Sequence, residues 1–212
     1  MKLMKSICTA SVVLTSAWSR ADLMVSQSFS GGPIPFGSPS GESFTGHFTA
    51  AGSGDQVLGF SVDLNISGGY NGVLYSYLVA PGGTKVTLMD QPGYSYGVND
   101  FGAMGAGMNI RLQDGTTDHG SIQNETSDAV LSGTYNAASP VSAFNGSSAN
   151  GDWTLYFATK GGAEGTDPAS LVSWNLNITV VPEPVTTALG IFAGVIGLVQ
   201  VAKWKFRTAK NS

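Results

Sequence analysis

Hydrophobic and polar residues alternate along most of this chain with a period of two. Leu58, Phe60, Val62, Leu64 and Ile66 are separated by Gly59, Ser61, Asp63 and Asn65, the pattern of a strand with one buried face. Val172, Trp174, Leu176, Ile178 and Val180 repeat it against Ser173, Asn175, Asn177 and Thr179, and Trp153, Leu155 and Phe157 make a third such face. Shorter strands are predicted over 73–79 and 86–89. Pro81-Gly82-Gly83 joins them, the proline fixing φ and the glycines allowing it to turn positive. Gly-rich breaks recur at Gly68-Gly69, Asn71-Gly72, Asn145-Gly146, Asn150-Gly151 and Gly161-Gly162. No stretch between residues 22 and 181 holds a helical period. Many short strands between turns predict an all-β sandwich or jelly roll, with Trp153 and Trp174 inside and Asn71 and Ser173 on the surface. The Ser/Gly/Pro-rich stretch 30–41 reads as a loop. Residues 22–56 are therefore expected to be an N-terminal strand with a lead-in, and 57–181 the sandwich.

Both ends break this pattern. Lys2 and Lys5 precede an apolar stretch over 7–18, and Ser19-Arg20-Ala21 places small residues at −3 and −1. That is a secretory signal peptide over 1–21, too short to be a membrane span, with cleavage expected after Ala21. Cys8, the only cysteine, lies inside it, so the exported body has neither disulfide nor thiolate chemistry. At the other end Val181-Pro182-Glu183-Pro184 precedes an uncharged apolar run of 18 residues, 185–202, and then Lys203, Lys205, Arg207 and Lys210. A helix of that length just crosses a hydrocarbon core of ~30 Å, and basic residues after it mark the cytoplasmic side. The two prolines end any regular element arriving from upstream. Motif, apolar helix and basic end, in this order over 182–212, resemble the PEP-CTERM sorting signal of bacterial exported proteins. The resemblance implies that a membrane-embedded sorting protease of the exosortase type acts at Pro182-Glu183-Pro184. It also implies an inner-membrane-anchored precursor and a product at the cell surface or outside the cell. A plain single-span anchor is the alternative.

Between the ends the charge is lopsided. Residues 22–181 contain thirteen acidic side chains and only three cationic ones, Lys85, Arg111 and Lys160. A net charge of −10 disfavours nucleic acid and anionic membrane surfaces as partners and suits cations or an extracellular polymer matrix. The 160 residues form one domain large enough to bury its own core.

From Ser132 onward the order of residues is specific. Ser132-Gly133-Thr134-Tyr135 is followed by Pro140-Val141-Ser142-Ala143-Phe144-Asn145-Gly146, by Ala149-Asn150-Gly151-Asp152-Trp153-Thr154-Leu155, and by Leu171-Val172-Ser173-Trp174-Asn175-Leu176-Asn177-Ile178. Upstream stands Tyr77-Leu78-Val79-Ala80-Pro81-Gly82-Gly83-Thr84. Together they resemble the P domain (P/Homo B) that follows the catalytic domain of kexin- and furin-like proprotein convertases, over residues 57–179. The resemblance implies a jelly-roll, galactose-binding-like β-sandwich with Asn150, Gly151, Trp153, Leu155 and Trp174 at its motif core. It further implies a non-catalytic domain that accompanies a separate subtilisin-like endopeptidase. Asp152, where the family usually has Thr or Ser, and Thr159-Lys160, where it often has an acidic residue, depart from the pattern.

Candidate chemistry is sparse. Gly93-Tyr94-Ser95-Tyr96-Gly97 has the spacing of a nucleophile elbow, with Asp114, Asp118 and His119 downstream, but an elbow needs a strand-to-helix turn and no helix is predicted after it. His47 and His119 are the only histidines, and neither has a zinc ligand at helical spacing. Asp114 and Asp118, with Glu125 and Asp128 nearby, offer the hard oxygens that Ca²⁺ prefers, or form a solvated acidic loop. Four sequons (Asn65, Asn124, Asn145, Asn177) fit a Ser/Thr/Asn-rich composition, two of them inside predicted strands. Tyr70, Tyr75, Tyr77, Tyr94 and Tyr96 face a glycan or partner, or pack. No cofactor is implied. Three functions follow from different classes: a non-enzymatic surface-sorted module of an envelope or extracellular polysaccharide matrix, an accessory domain for a separate serine endopeptidase, and an enzyme without an assembled site.

Overall fold

The computed structural model describes residues 22–36, 41–50, 56–160 and 168–180. They form two packed sheets, β1 (Leu23–Ser30), β2 (Glu42–Phe48), β3 (Val57–Ser67), β4 (Leu74–Val79), β5 (Lys85–Asp90), β6 (Met108–Gln113), β7 (Leu131–Asn136), β8 (Gly151–Thr159) and β9 (Ser170–Val180). One sheet has the order β1-β9-β3-β6-β7 and the other β2-β8-β4-β5. Every pairing is antiparallel except β6 with β7. The only helical elements among the described residues are 3₁₀ turns at Asn71–Val73, Ile122–Asn124 and Val141–Phe144. None of these is long and apolar enough to cross a membrane. The signal peptide with Ala21, the Val181-Pro182-Glu183-Pro184 motif and the apolar run 185–202 lie outside the described residues.

The core lies between the sheets. Val62, Leu64 and Ile66 of β3, Leu74 and Leu78 of β4, Trp153, Leu155 and Phe157 of β8, and Trp174, Leu176 and Ile178 of β9 are all buried. Trp153 stacks on Phe60 at 5.2 Å and meets Phe144 edge-on at 5.1 Å, while its indole N–H donates to the Ala149 carbonyl at 2.8 Å. Trp174 packs on Phe29 at 4.5 Å. The region upstream of residue 57 contributes an edge strand to each sheet: β1 pairs with β9 and β2 with β8. Gln27 joins these two edges, donating to the His47 carbonyl and accepting from the Thr49 N–H. The opposite edges are covered by loops, where Ala138 and Ser139 bond β5 and Gly120 bonds β7, so no long unpaired edge remains there.

Two bulges correct the alternation read from sequence. β3 slips register between Val57 and Gly59, so Val57 is buried and Leu58, expected inside, is exposed. On β9, Ser173 faces Asn65 and Leu171 faces Ile66, which turns Leu171 inward and leaves Val172 outside. A bulge puts two residues opposite one and re-aims the side chains around it. Ser173, expected on the surface, is half-buried. Val73, expected in the strand, belongs to the preceding 3₁₀ turn.

The outer face of the five-stranded sheet is a polar ladder. Arg111 grips Asp63 with two hydrogen bonds, at 2.6 and 3.0 Å. Asn175 and Asn177 donate to the same carboxylate, and Ser26 donates to Asn177. Partial burial works against the Asp63 charge, but the bonds from Arg111, Asn177 and Asn175 together with the Arg111 charge outweigh it and hold the carboxyl below its usual range.

Candidate functional site

The exposed apolar surface is concentrated in the β5–β6 connection, residues 91–107. Tyr94, Tyr96, Val98, Phe101 and Met104 all project to solvent, Tyr96 at 88% and Val98 at 85% exposure. Val130 joins them, because Gly105 lies against the Ala129 carbonyl. The loop is shaped by its backbone. Gln91, at φ 53°, turns the chain out of β5, and the Gln91 N–H stays bonded to the Leu74 carbonyl. Ser95 and Asn99 exchange two backbone bonds at 3.0 and 2.7 Å, and the Asn99 side chain donates to the Gly93 and Gly102 carbonyls. Gly72 and Gly102 approach so closely that a Cβ on either meets backbone of the other segment, a contact that only glycine permits.

Asn71 corrects another expectation. Its Asn-Gly sequence predicts a surface turn, yet it is fully buried beneath this loop. Its backbone N–H donates to the Gly105 carbonyl and its side chain to the Gly107 carbonyl, both at 3.0 Å. The apolar tip is therefore held on a rigid base and displayed.

Acidic residues lie in and beside it. Asp100 lies within the loop and accepts from the Gly97 N–H at 2.7 Å, Gly93 abuts the Glu125 backbone, and Gly105 abuts that of Asp128. No cation among the described residues pairs with them. Lys160 pairs with Asp90 at 2.7 Å and lies over the Tyr75 ring, Lys85 lies over Tyr77, and Arg111 is taken by Asp63.

The residues singled out for chemistry do not meet. Asp114 spends both carboxylate oxygens on the Val141 and Ser142 N–H groups, at 2.9 and 2.8 Å, capping the 3₁₀ turn Val141–Phe144. Hollows of about 260 and 480 Å³ flank it. Asp118 accepts from the Thr134 N–H and Glu125 from the Tyr135 hydroxyl, while Asp128 is exposed. Among the described residues no three His, Cys, Asp or Glu side chains come together as a metal site requires. The pairing of Tyr135 has an electrostatic consequence: burial, then the Glu125 charge and hydrogen bond, then Asp118, push its phenol up to about 12.

Ser95 is exposed in its tight turn with no helix behind it. His119 stacks on Tyr135 at 4.7 Å beside one sheet, whereas His47 bonds Asp152 at 2.7 Å on the outer face of the other. The departure at Asp152 thus has a local partner. Tyr77 and Tyr156 stack on each other at 4.6 Å with Tyr75 edge-on. With lysines over Tyr75 and Tyr77, these rings stand as a packed cross-strand ladder rather than a flat platform. Only Tyr94 and Tyr96 of the suggested tyrosines belong to the displayed loop. Sequence reading missed that loop as a unit because its apolar residues follow no period.

Of the motif residues, Asn150 and Gly151 stand where β8 begins, Trp153 and Leu155 follow along it, and Trp174 lies on β9. Asn150 accepts the Ala50 N–H at 2.7 Å, and Gly151, at φ 123°, lets β8 pass against Pro81. Two chains of known structure are similar at low identity: the serine protease of Aeromonas sobria in complex with a chaperone (17% identical, TM-score 0.48, 77% of this chain and 28% of that one) and the serine protease of Aeromonas sobria (16%, 0.47, 79% and 29%). This chain thus matches under a third of those proteases' length. No curated protein sequence matches. The model of the proprotein convertase P-domain matches residues 57–178, more than half of the chain and the segment that contains β3 to β9 up to Ile178. The chain belongs to the proprotein convertase P-domain family.

Proposed function

We propose that this chain is a non-enzymatic, exported β-sandwich module that is sorted to the cell surface through Pro182-Glu183-Pro184 and docks a protein partner with the 91–107 loop. One observation carries the proposal: five of the large exposed apolar residues of the described surface stand together on one glycine-shaped loop that also carries Asp100. Such a contiguous patch is the mark of an interaction site, and its charge calls for a partner surface that is basic around an apolar centre. The fold proposed for the module is a jelly roll of the galactose-binding-like kind.

A second reading specifies the partner as a separate subtilisin-like serine endopeptidase, which this domain would support without contributing to its chemistry. Membership of the P-domain family favours it. One experiment tests both. A photo-crosslinking residue replaces Tyr96 in one variant and Thr154, on the opposite sheet's polar face, in another, each expressed as the full chain. The proposal expects a single discrete protein adduct from position 96 and none from 154. Identification of the adduct as a subtilisin-like peptidase selects the second reading. Equal labelling at both positions refutes the docking role.

A further inference from the structure

The end of the sandwich opposite that loop is also apolar, and it is where the chain runs on toward residues 181–212. Beyond the Val172 bulge the outer face of β9 is polar until its last rung. There Leu23 faces Val180 and Met24 faces Thr179 across β1, while Leu58 is bulged out between Val57 and Gly59, the partners of Val180 and Thr179 on β3. Met24 is 68% exposed, Leu23 45% and Leu58 43%. β1 and β3 flank β9, so Met24 and Leu58 lie ~10 Å apart at the ordinary strand spacing, and Leu23, on the other face of β1, completes the apolar rim of this end. Leu58 is the informative member. Uninterrupted alternation would bury it, and the bulge turns it out.

Residues 181–184 separate Val180 from the uncharged run that begins at Val185. That connection spans at most ~18 Å when fully extended, and the interfacial layer of a bilayer is itself ~5–8 Å deep. An inserted 185–202 run therefore keeps this end of the sandwich within ~10–13 Å of the bilayer surface, in reach of it. We infer that in the membrane-anchored form Leu23, Met24 and Leu58 seat in the interfacial layer of the leaflet facing away from the cytoplasm. The domain then stands on the bilayer with the 91–107 loop ~35 Å above it, the length of an eleven-residue strand. This rests on the proposed sorting through Pro182-Glu183-Pro184, which implies a membrane-anchored precursor. Apolar side chains at the interface gain burial without needing a basic surface, which suits a domain whose charge is otherwise repelled by anionic lipid.

The test uses the full chain with Cys8→Ser, reconstituted in nanodiscs of phosphatidylethanolamine and phosphatidylglycerol. An environment-sensitive fluorophore is attached in turn to Met24→Cys and Tyr96→Cys, and lipids with a nitroxide headgroup serve as quencher. Position 24 is expected to blue-shift and lose most of its emission, position 96 to keep its emission. Adding Leu23→Glu and Leu58→Glu restores emission at position 24 without lowering the melting temperature, because both residues are exposed. Unquenched emission at position 24 in chains that float with the nanodiscs overturns the inference. So does equal quenching at the two positions, or shielding of position 24 by a second copy, read as cross-links between copies. Chains that fail to float refute the anchored precursor itself, and the inference with it.

Discussion

Removing the indole of Trp153 is the sharpest test of the core. The ring is fully buried, is held between Phe60 and Phe144, and is tied to Ala149 by its N–H. Trp153→Ala is expected to cost ~3–5 kcal/mol through lost transfer energy and the cavity left behind. Trp153→Phe retains most of the packing but leaves the buried Ala149 carbonyl short of its donor, a penalty of ~1–3 kcal/mol. Trp174 supplies an internal comparison. It is equally buried, but its indole N–H has no protein acceptor, so Trp174→Phe removes no protein hydrogen bond and should cost less than Trp153→Phe. A domain of this size loses ~2–4 °C per kcal/mol, so Trp153→Ala should lower the melting temperature by ~6–20 °C. Urea unfolding of residues 22–181, followed by circular dichroism, reads the effect as a shifted midpoint with unchanged slope. Val172→Ala, on the solvent side of the β9 bulge, should stay within ~0.5 kcal/mol. A Trp153→Ala cost below ~1 kcal/mol, or a Val172→Ala cost equal to it, would show the register to be wrong.

Asn71→Ala should destabilise by ~1–3 kcal/mol, since the Gly107 carbonyl loses its buried donor, and should speed limited proteolysis within 91–107. Asp63 has a folded pKa below its ordinary value of 3.8, so the stability it contributes is complete above about pH 4 and is lost as pH falls through the folded value. Asp63→Asn should flatten that part of the acid-unfolding curve, measured by urea midpoints down to about pH 2. Residues 22–181 should fold alone, without disulfide or metal, and leave peptide and ester substrates untouched with or without Ca²⁺. Turnover that disappears in Ser95→Ala or His119→Ala would refute the non-enzymatic assignment.

Much of the fold was legible because burial on one face imposes a period of two, and Trp153 and Trp174 lie inside as that period requires. The misplacements have a single cause. Leu58 and Val172 sit at bulges, which are set by the partner strand's register rather than by neighbours in sequence. Asn71 has the Asn-Gly signature of a turn, and its burial arises from a loop more than thirty residues away in sequence folding over it. Side chain-to-backbone capping over such distances is equally silent in sequence, so Asp114 read as a free carboxylate although Val141 and Ser142 use both its oxygens. The candidate docking loop was hidden for a different reason. Its apolar residues are scattered among glycines, and only the fold brings Tyr96, Val98, Phe101 and Val130 to one end of the sandwich.

The intact mass of the mature protein, isolated separately from the cell envelope and from the medium, tests the central claim most directly. The account predicts a chain that begins at Asp22 and ends within a few residues of Pro182, with Glu183→Ala accumulating as unprocessed protein in the membrane fraction. Wild-type protein that retains the segment through Trp204, indistinguishable from the Glu183→Ala variant, would contradict surface sorting and leave Pro182-Glu183-Pro184 as a stalk beneath a fixed anchor.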